Sequence, residues 1–256
     1  MPETDSKQTL EIYSLNGVVT TVRNPVRNNI LHMLSKQGTA SFSEIQKTIG
    51  LSKSTTSGYI SSLVYAGLVI EISCRDGRKK EYKLAATPLG DIKPAGTTVS
   101  TNEFREVIRQ AYTNYGKLDY KNILPHIIKV ALMEAGVKID PIIGRGGEIL
   151  GETIAPYLVA DTLDRTLENI CGFWAHNGLG EIKIRSIMPL KLEVYKCYEC
   201  MILPKGMGTS CVISSGILSA LFSAFYHQKI PVIETQCMTQ GFECCSFDVS
   251  SPVYEE

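Results

Sequence analysis

Three short helical segments followed by two strands, between residues 24 and 84, constrain the fold more than any other part of the sequence. A proline at the first helical position, Pro25, and a glycine after the last apolar residue, Gly38, mark the two ends of the first segment. The apolar residues between them recur at helical spacing, at Val26, Ile30, Leu31 and Leu34. An amphipathic helix is therefore predicted here.

Two further helices are predicted to follow. The second starts at Ser43, with Gln46 as its capping-box partner, and closes at Gly50, whereas Ser52 caps the third. The inward side of the third helix is expected to comprise Ile60, Leu63 and Val64. Its early, outward turns carry Lys53, Ser54, Thr55, Thr56 and Tyr59. Such side chains at the front of a third helix suit contact with the major groove of DNA, although Tyr59 fits a half-buried packing position equally well.

After the third helix the sequence changes to the pattern of a β-hairpin. Residues 68–72 and 82–84 are predicted strands, and Asp76-Gly77 lies at the turn between them. The turn is basic and contains Arg75, Arg78, Lys79 and Lys80. Residues 17–86 hold ten Lys and Arg against four Asp and Glu, a net +6 in a chain of net charge zero. This asymmetry indicates that the N-terminal third binds a polyanion.

The order helix, helix, helix, wing resembles the winged helix-turn-helix of the arsenic-repressor type. The stretch from Leu51 through Ser52, Lys53, Ser54, Thr55 and Thr56 to Ile60 resembles the entry of its recognition helix. The resemblance implies binding of double-stranded promoter or operator DNA by a homodimer, because such regulators meet palindromic sites as dimers. A winged domain used for protein contact is the alternative, and the four basic residues of the wing argue against it.

The chain is expected to contain two domains. Pro88, Gly90, Pro94 and Gly96 indicate a linker, with few large apolar residues around them. The predicted division is a DNA-binding domain over residues 1–86, a linker over 87–100, a helical connector or dimerisation segment over 101–145, and a sensor domain over 146–256. The connector contains one helical stripe that begins at Phe104 and a second that follows Pro125.

The sensor domain is predicted to be an α+β module. A long helix, kinked at Pro156, is expected from Gly147 to Trp174, and the Gly144-x-Gly146-Gly147 run before it is interpreted as a flexible turn rather than an anion site. Strand periodicity follows at Ile182, Ile184, Leu190, Leu192 and Val194. A helix over 217–225 and strands around Val232 and Phe247 complete the order α, β, α, β. The fold class is therefore α+β, with an N-terminal winged helix-turn-helix.

Eight cysteines in a chain without an export signal indicate metal ligands or redox thiols in a reducing cytoplasm, not a secreted disulfide framework. No stretch of the sequence is predicted to cross a membrane. The four histidines lack metal-ligand spacing and are interpreted as structural.

The C-terminal cysteines resemble those of the 4-vinyl reductase domain, a ligand-sensing module, over about residues 145–250. The pattern Cys237-x-x-x-Gly241-x-x-x-Cys245-x-Phe247, with upstream Cys211 and Glu234, carries the resemblance. It implies one structural zinc ion held by Cys211, Glu234, Cys237 and Cys245. Zinc accepts thiolate and carboxylate ligands, and a closed four-coordinate site stabilises a fold without doing chemistry. A reduced, apolar cysteine core without metal is the alternative.

Three more thiols, those of Cys197, Cys200 and Cys244, are expected to lie outside that ligand set. A Cys-x-x-Cys pair can close a disulfide, and neighbouring charge from Lys196 and Lys205 would raise its reactivity. These thiols are the redox candidates. Alternatively, Cys197 and Cys200 are ligands of a second or alternative metal site.

The combination of the two domains resembles the redox-responsive transcription regulators of that architecture in methanogenic archaea. The resemblance implies a homodimeric regulator, not an enzyme, that senses redox state through cysteines around a structural zinc. The alternative is a regulator whose C-terminal domain binds a small hydrophobic ligand between the 147–174 helix and the sheet. Reduction of a tetrapyrrole vinyl group is disfavoured, because the sequence carries no nicotinamide or flavin fingerprint.

Overall fold

The computed structural model describes residues 9–73, 80–92 and 101–252. These residues fall into two compact units, the first within residues 1–97 and 136–139 and the second within 98–135 and 140–256. Among the described helices, none combines the length and the hydropathy that a bilayer crossing requires. Each unit has its own buried core.

The first unit contains the three predicted helices and the two strands of the predicted wing. Its elements in chain order are β1 (Leu10–Leu15), β2 (Val18–Val22), α1 (Pro25–Gln37), β3 (Thr39–Ser41), α2 (Phe42–Ile49), α3 (Lys53–Tyr65), β4 (Val69–Ser73), β5 (Lys80–Leu84) and β6 (Thr87–Ile92). Strands β3, β5 and β4 form an antiparallel sheet in that order. The core lies between the helices and this sheet, and its fully buried residues include Ile30, Leu31, Ile45, Ile60 and Leu63.

Helix α2 begins slightly earlier than predicted. Ser41, not Ser43, is its N-cap, and Glu44, not Gln46, is its capping-box partner. The backbone N–H of Ser41 donates to Glu44 Oε2 at 2.7 Å, and the Glu44 N–H donates to Ser41 Oγ at 3.4 Å. Both pairs have the same Ser-x-x-Glu/Gln spacing, and Glu44 adds a negative charge at the positive end of the helix.

A second sheet of the first unit was not predicted. Strand β7 (Val137–Lys138) completes a sheet in the antiparallel order β2-β1-β6-β7. Residues 87–92 therefore form a strand, and the prediction that the linker starts at residue 87 is wrong. Pro88 is accommodated beside an irregularity in the β1–β6 register, and Gly90 lets the Lys138 carbonyl approach where a Cβ would lie 2.1 Å from its oxygen.

The second unit packs helices on one antiparallel sheet, which agrees with the predicted α+β class. Its elements are α4 (Asn102–Tyr115), α5 (Tyr120–Glu134), α6 (Asp140–Leu158), α7 (Leu163–His176), β8 (Glu181–Ile187), β9 (Leu190–Tyr195), α8 (Val212–Tyr226), β10 (Val232–Gln236), a short 3-10 turn (Met238–Gln240) and β11 (Cys245–Val249). The sheet order is β10-β11-β9-β8. Its core includes Trp174, Leu192, Val194, Phe222 and Phe247.

Three predicted helix boundaries of this unit are wrong. Helix α5 begins at Tyr120 and contains Pro125, instead of starting after it. The long helix expected from Gly147 to Trp174 is two helices, because α6 ends just after Pro156 and Thr162 caps α7. The glycine run lies inside α6, where a Cβ on Gly147 would sit 2.3 Å from the Ile213 carbonyl oxygen. It is a close contact between α6 and α8, not a flexible turn.

Candidate functional site

Five buried cysteines and one glutamate converge where four segments of the second unit meet. Cys197 and Cys200 follow β9, Cys211 is the N-cap of α8, Glu234 lies on β10, Cys237 follows β10, and Cys245 begins β11. Each of the five cysteines is at most 2% exposed. Strand pairing of β11 with β9 and β10 holds three of these segments in register. The sheet and α8 therefore position all six side chains.

The sulfur atoms of this cysteine cluster lie at van der Waals or hydrogen-bond distance. Cys211 Sγ is 3.5 Å from both Cys197 Sγ and Cys245 Sγ, and 3.9 Å from Cys237 Sγ. Cys245 Sγ is 3.3 Å from Cys200 Sγ and 3.8 Å from Cys237 Sγ. All of these thiols are free, since the two sulfur atoms of a disulfide lie about 2.05 Å apart.

Two groups of four within the cluster have the geometry of a metal site. Cys211, Glu234, Cys237 and Cys245 place one ligand atom each within 4.8 Å of one another, and so do Cys197, Cys200, Cys211 and Cys245. The structure thus brings together the four residues that the 4-vinyl reductase resemblance implies. It also places the Cys197 and Cys200 thiols beside Cys211 and Cys245, in a second group of four that corresponds to the alternative of a second or alternative metal site. The turn after β9, in which the Met201 N–H donates to the Cys197 carbonyl, brings both thiols back to Cys211 and Cys245.

Glu234 is held in place by one of its two carboxylate oxygens. Its Oε2 accepts from the N–H groups of Ser210 at 2.7 Å and Cys211 at 2.8 Å. Its Oε1 is buried and has no hydrogen-bond partner among the described residues. Burial raises the pKa of Glu234 to about 9. An oriented carboxylate with one unsatisfied buried oxygen beside thiols fits a metal ligand.

Hydrogen bonds within the cluster favour the thiolate of Cys237 but the protonated thiols of Cys200 and Cys211. Thiol hydrogen bonds, first from Cys200 and then from Cys211, lower the pKa of Cys237 to about 5, and the Thr239 hydroxyl donates to Cys237 Sγ at 3.1 Å. The proposed role of Lys196 and Lys205 is not supported. Lys196 Nζ pairs with Glu181 at 2.5 Å, and Lys205 Nζ donates to the Met238 carbonyl at 2.8 Å.

The other two cysteines of the unit belong to neither group of four. Cys244 precedes β11 and is 8% exposed, and Cys171 is half-buried on α7. Burial raises the pKa of both thiols. Both are therefore protonated, less reactive thiols near neutral pH.

The role of Glu199, inside the Cys-Tyr-Glu-Cys segment, was missed from the sequence. Its carboxylate accepts from the N–H groups of Ile213 at 2.9 Å and Ser214 at 3.0 Å, and from the Ser214 hydroxyl at 3.0 Å. It therefore caps the N-terminus of α8, and Lys129 Nζ lies 3.9 Å from its Oε1. The only signal that the sequence offered for this role was a glutamate between the two cysteines of the Cys-x-x-Cys pair.

A cavity of about 420 Å³ adjoins this carboxylate. It lies between α5, α6, α8 and the segment after β9, not between the 147–174 region and the sheet as expected for a small hydrophobic ligand. Ile128, Ile143 and Ile217 contribute apolar walls. His126, Lys129 and Glu199 contribute the polar groups.

The front of α3 exposes three of the five residues of this helix that were predicted to contact DNA. Lys53, Ser54 and Thr55 are exposed. Thr56 is fully buried, so its predicted outward position is wrong, because it lies one turn before Ile60 on the inner face. Tyr59 is half-buried against the core, and Val64, predicted to face inward, is 36% exposed.

The wing contributes less to the described surface. Lys80 lies on β5 and pairs with Glu71 at 2.8 Å. Arg75, Arg78 and Lys79, and also Cys74, lie outside the described residues. Ser57 is an exposed residue of α3 that the prediction omitted, although it lies one helical turn after Lys53.

Two family models match separate parts of the chain. The family described as "Bacterial regulatory protein, arsR family" matches residues 24–71, and the 4-vinyl reductase domain family matches residues 190–251. The first match spans α1 to α3, and the second contains all six side chains of the cysteine cluster.

Two curated relatives are uncharacterised proteins of Methanocaldococcus jannaschii. One is 28% identical over 33% of this chain and 53% of its own length, and the other is 30% identical over 30% of this chain and 42% of its own length. The chain thus spans about half the length of the curated relatives it matches.

Two solved structures are also similar. One is a vinyl-4-reductase family protein of Methanocaldococcus jannaschii, at 18% identity over 61% of this chain and 97% of the other, with a TM-score of 0.37. The other is the phenol-responsive sensory domain of the transcription activator PoxR with phenol, at 13% identity over 78% of this chain and 90% of the other, also with a TM-score of 0.37. From the two family matches, this chain has an arsR-family helix-turn-helix region at its N-terminus and a 4-vinyl reductase domain at its C-terminus.

Proposed function

We propose that this protein is a homodimeric, DNA-binding transcription regulator whose 4-vinyl reductase domain senses redox state through cysteines around a structural zinc. The observation that carries the proposal is the buried cluster of five cysteines and one glutamate, in the same chain as an arsR-family helix-turn-helix. A regulator of this kind acts in a reducing cytoplasm, where free thiols persist until an oxidant arrives.

DNA binding is supported by the exposed front of α3 and by the charge of the N-terminal third. Lys53, Ser54 and Thr55 lie at the N-terminal end of that helix, where recognition helices contact base edges. The net charge of +6 on residues 17–86 favours binding to the negatively charged DNA phosphates.

Dimerisation is supported by apolar side chains that α4 exposes. Val107, Tyr112 and Tyr115 are 41%, 60% and 75% exposed, whereas Phe104 on the same helix is buried. A second copy of the chain that covered these side chains would also provide the second recognition helix for a palindromic site.

Zinc is supported by the donor set. Cys211, Glu234, Cys237 and Cys245 offer three sulfurs and one oxygen within 4.8 Å of one another, which is a closed four-coordinate set. Such a site stabilises a fold, and bound zinc would supply the positive charge that the buried thiolates need.

Redox sensing is supported by the crowding of thiols around that set. Cys197 and Cys200 each lie within 3.5 Å of a thiol of the zinc set. The oxidant is a hydroperoxide. Two thiolates lose one electron each and join as a disulfide. The hydroperoxide gains both electrons and two protons, and it yields an alcohol and a water molecule, or two water molecules if it is hydrogen peroxide. The new bond removes ligands or neighbours from the cluster and favours one of two domain arrangements. Cys244, the third redox candidate, has a raised thiol pKa and would therefore react more slowly than an ordinary thiol.

The test measures DNA affinity of the anaerobically purified protein before and after mild peroxide, with a duplex that the reduced protein selects from a random-sequence pool. We expect a change of about 5- to 150-fold, the usual range for coupling between two sites, and recovery with dithiothreitol. The Cys171→Ser variant is the control and should show the same change in affinity as the unaltered protein, since Cys171 lies outside both groups of four. Unchanged affinity after verified loss of free thiols contradicts redox sensing.

A small-molecule sensor is the second candidate, and the cavity of about 420 Å³ beside Glu199 supports it. Mainly apolar walls together with the Lys129 ammonium suit a small apolar molecule that carries a hydrogen-bond acceptor. Native mass spectrometry would detect a retained ligand. Ile128→Trp should abolish retention, whereas Ile127→Trp, on the adjacent residue that does not line the cavity, should not.

A further inference from the structure

The two groups of four ligand atoms share two thiols. Cys211 and Cys245 belong to both groups, Cys197 and Cys200 complete the first, and Glu234 and Cys237 complete the second. Six side chains therefore supply two complete four-ligand sets with one common edge. This is the arrangement that a pair of metal ions needs when two thiolates bridge them.

The sulfur separations fit metal coordination. A tetrahedral zinc site with Zn–S bonds of about 2.3 Å has sulfur atoms about 3.8 Å apart. The two shared thiols are 3.5 Å apart, and each lies 3.8–3.9 Å from Cys237 Sγ. Each also lies at 3.3–3.5 Å from one thiol of the Cys197 and Cys200 pair. The pattern is therefore as compact on the Cys197 and Cys200 side as on the Cys237 side.

Two divalent ions would also reduce the charge of the fully ligated cluster. The fully ligating form of the cluster carries five thiolates and one carboxylate, and all five cysteines are at most 2% exposed. Among the described residues, no lysine or arginine forms an ion pair with Glu234; Lys129, Lys196 and Lys205 bind other groups. Two divalent ions would offset four of those six charges and one ion would offset two, whereas thiols that hold no metal stay protonated.

We propose that the 4-vinyl reductase domain binds two divalent, thiophilic metal ions in a binuclear cluster, with the Cys211 and Cys245 thiolates as bridges. One ion is held additionally by Cys197 and Cys200, and the other by Glu234 and Cys237. The proposal deepens the single zinc site proposed above and rests on it, but it is independent of redox sensing. The Cys-x-x-Cys pair is thereby assigned as a ligand pair.

The test counts metal ions in the full-length chain. Protein purified without oxygen is stripped with a chelator, refilled with excess zinc, desalted, and analysed by inductively coupled plasma and native mass spectrometry. We expect two zinc ions per chain. Cys197→Ser with Cys200→Ser should lower the count to one, Glu234→Ala with Cys237→Ser should also lower it to one, and Cys171→Ser should leave it at two.

A measurement on the unaltered sequence covers the case in which variants fail to fold. Refilling with ¹¹³Cd should give two cadmium resonances, and each should be split by coupling to the other through the shared sulfurs. Two uncoupled resonances, or one, would overturn the binuclear arrangement.

A count of one zinc in the wild-type chain also overturns it, and the variants then separate this proposal from the earlier one. If the ion is lost only with Glu234→Ala and Cys237→Ser, the single zinc site stands. If it is lost only with Cys197→Ser and Cys200→Ser, the zinc site proposed above falls as well.

Discussion

The carboxylate of Glu199 lies between two cysteines of the cluster in sequence, yet it binds helix α8 and not the thiols. It accepts three hydrogen bonds from Ile213 and Ser214 and lies beside Lys129, which also donates to the Ser210 carbonyl. Burial raises the pKa of this carboxyl, and the Lys129 charge opposes that effect. One residue thus joins the Cys-x-x-Cys segment to α8 and to the cavity.

Glu199→Ala should lower the free energy of unfolding of the second unit by about 3 kcal/mol, because two buried N–H groups lose their acceptor and Lys129 loses its counter-charge. Urea unfolding followed by the fluorescence of Trp174, the only tryptophan and fully buried, measures it. The control is Glu168→Ala, an exposed glutamate of α7, which should cost less than about 0.5 kcal/mol. Equal effects of the two variants would contradict a capping role for Glu199.

A second residue-scale prediction concerns His32 and Glu11, whose Nε2 and Oε1 atoms are 3.0 Å apart. The hydrogen bond to Glu11 raises the pKa of His32 above its ordinary 6.5. Burial would raise the pKa of Glu11, but hydrogen bonds from His32 and Tyr13 outweigh burial and lower it below 4.5. The His32 contribution to stability is therefore complete below pH 6.5 and lost above its folded pKa, and the Glu11 contribution is lost as pH falls below 4.5.

His32→Gln should consequently destabilise the first unit most between pH 4.5 and 6.5, where both groups are charged. Since the His32 side chain is 59% exposed, we expect the free energy of unfolding to fall by only about 0.5 kcal/mol. Amide hydrogen exchange of α1 at about pH 5.5 and about pH 8.5, in wild type and variant, measures the difference. A difference of the same size at both pH values would contradict the ion pair.

At the scale of elements, the contact between α6 and α8 depends on glycines. A Cβ on Gly216 would lie 2.3 Å from the Gly144 carbonyl oxygen, whereas a Cβ on Gly172, on the exposed face of α7, would meet nothing within 4 Å. Gly216→Ala should therefore destabilise the second unit by about 1–3 kcal/mol, and Gly172→Ala should stabilise it by about 0.5–1 kcal/mol. Urea midpoints of the two variants, again followed by Trp174 fluorescence, test the contact. A neutral Gly216→Ala would contradict it.

Most elements of both units could be predicted from the sequence, because their signals are local. Pro25, Gly38, Ser52 and the apolar spacing between them determine where α1 and α3 begin and end. The β1–β2 hairpin has a local signal that was missed, the Asn16-Gly17 turn with positive φ at both residues. The addition of β6 and β7 could not be predicted, because it depends on pairing between residues as distant as Leu10 and Ile92. The proline and glycine in β6 also resemble a linker until their partners are known.

At the scale of the whole molecule, the same difference between local and long-range signals holds for the cysteine cluster. Resemblance to the 4-vinyl reductase domain implied Cys211, Glu234, Cys237 and Cys245, and the structure brings these four residues together. Spacing alone could not show that Cys197 and Cys200 join them, since that depends on the turn after β9 and on the register of β9 with β11. Nor could it show that Thr56 is buried, because a helical pattern gives a face but not its exact width.

The last prediction concerns how the whole molecule binds DNA. Lys53 is exposed at the front of α3, and Lys36 is an exposed lysine in the last turn of α1, so both carry the same charge within the same unit. If α3 is the recognition helix, Lys53→Ala should weaken binding and reduce the slope of log K against log salt by about 0.9, the value for one lost phosphate contact. Lys36→Ala should leave that slope unchanged. Fluorescence anisotropy with the selected duplex at several salt concentrations measures both, and an equal loss of slope in the two variants would show that general charge, rather than the front of α3, directs the protein to DNA.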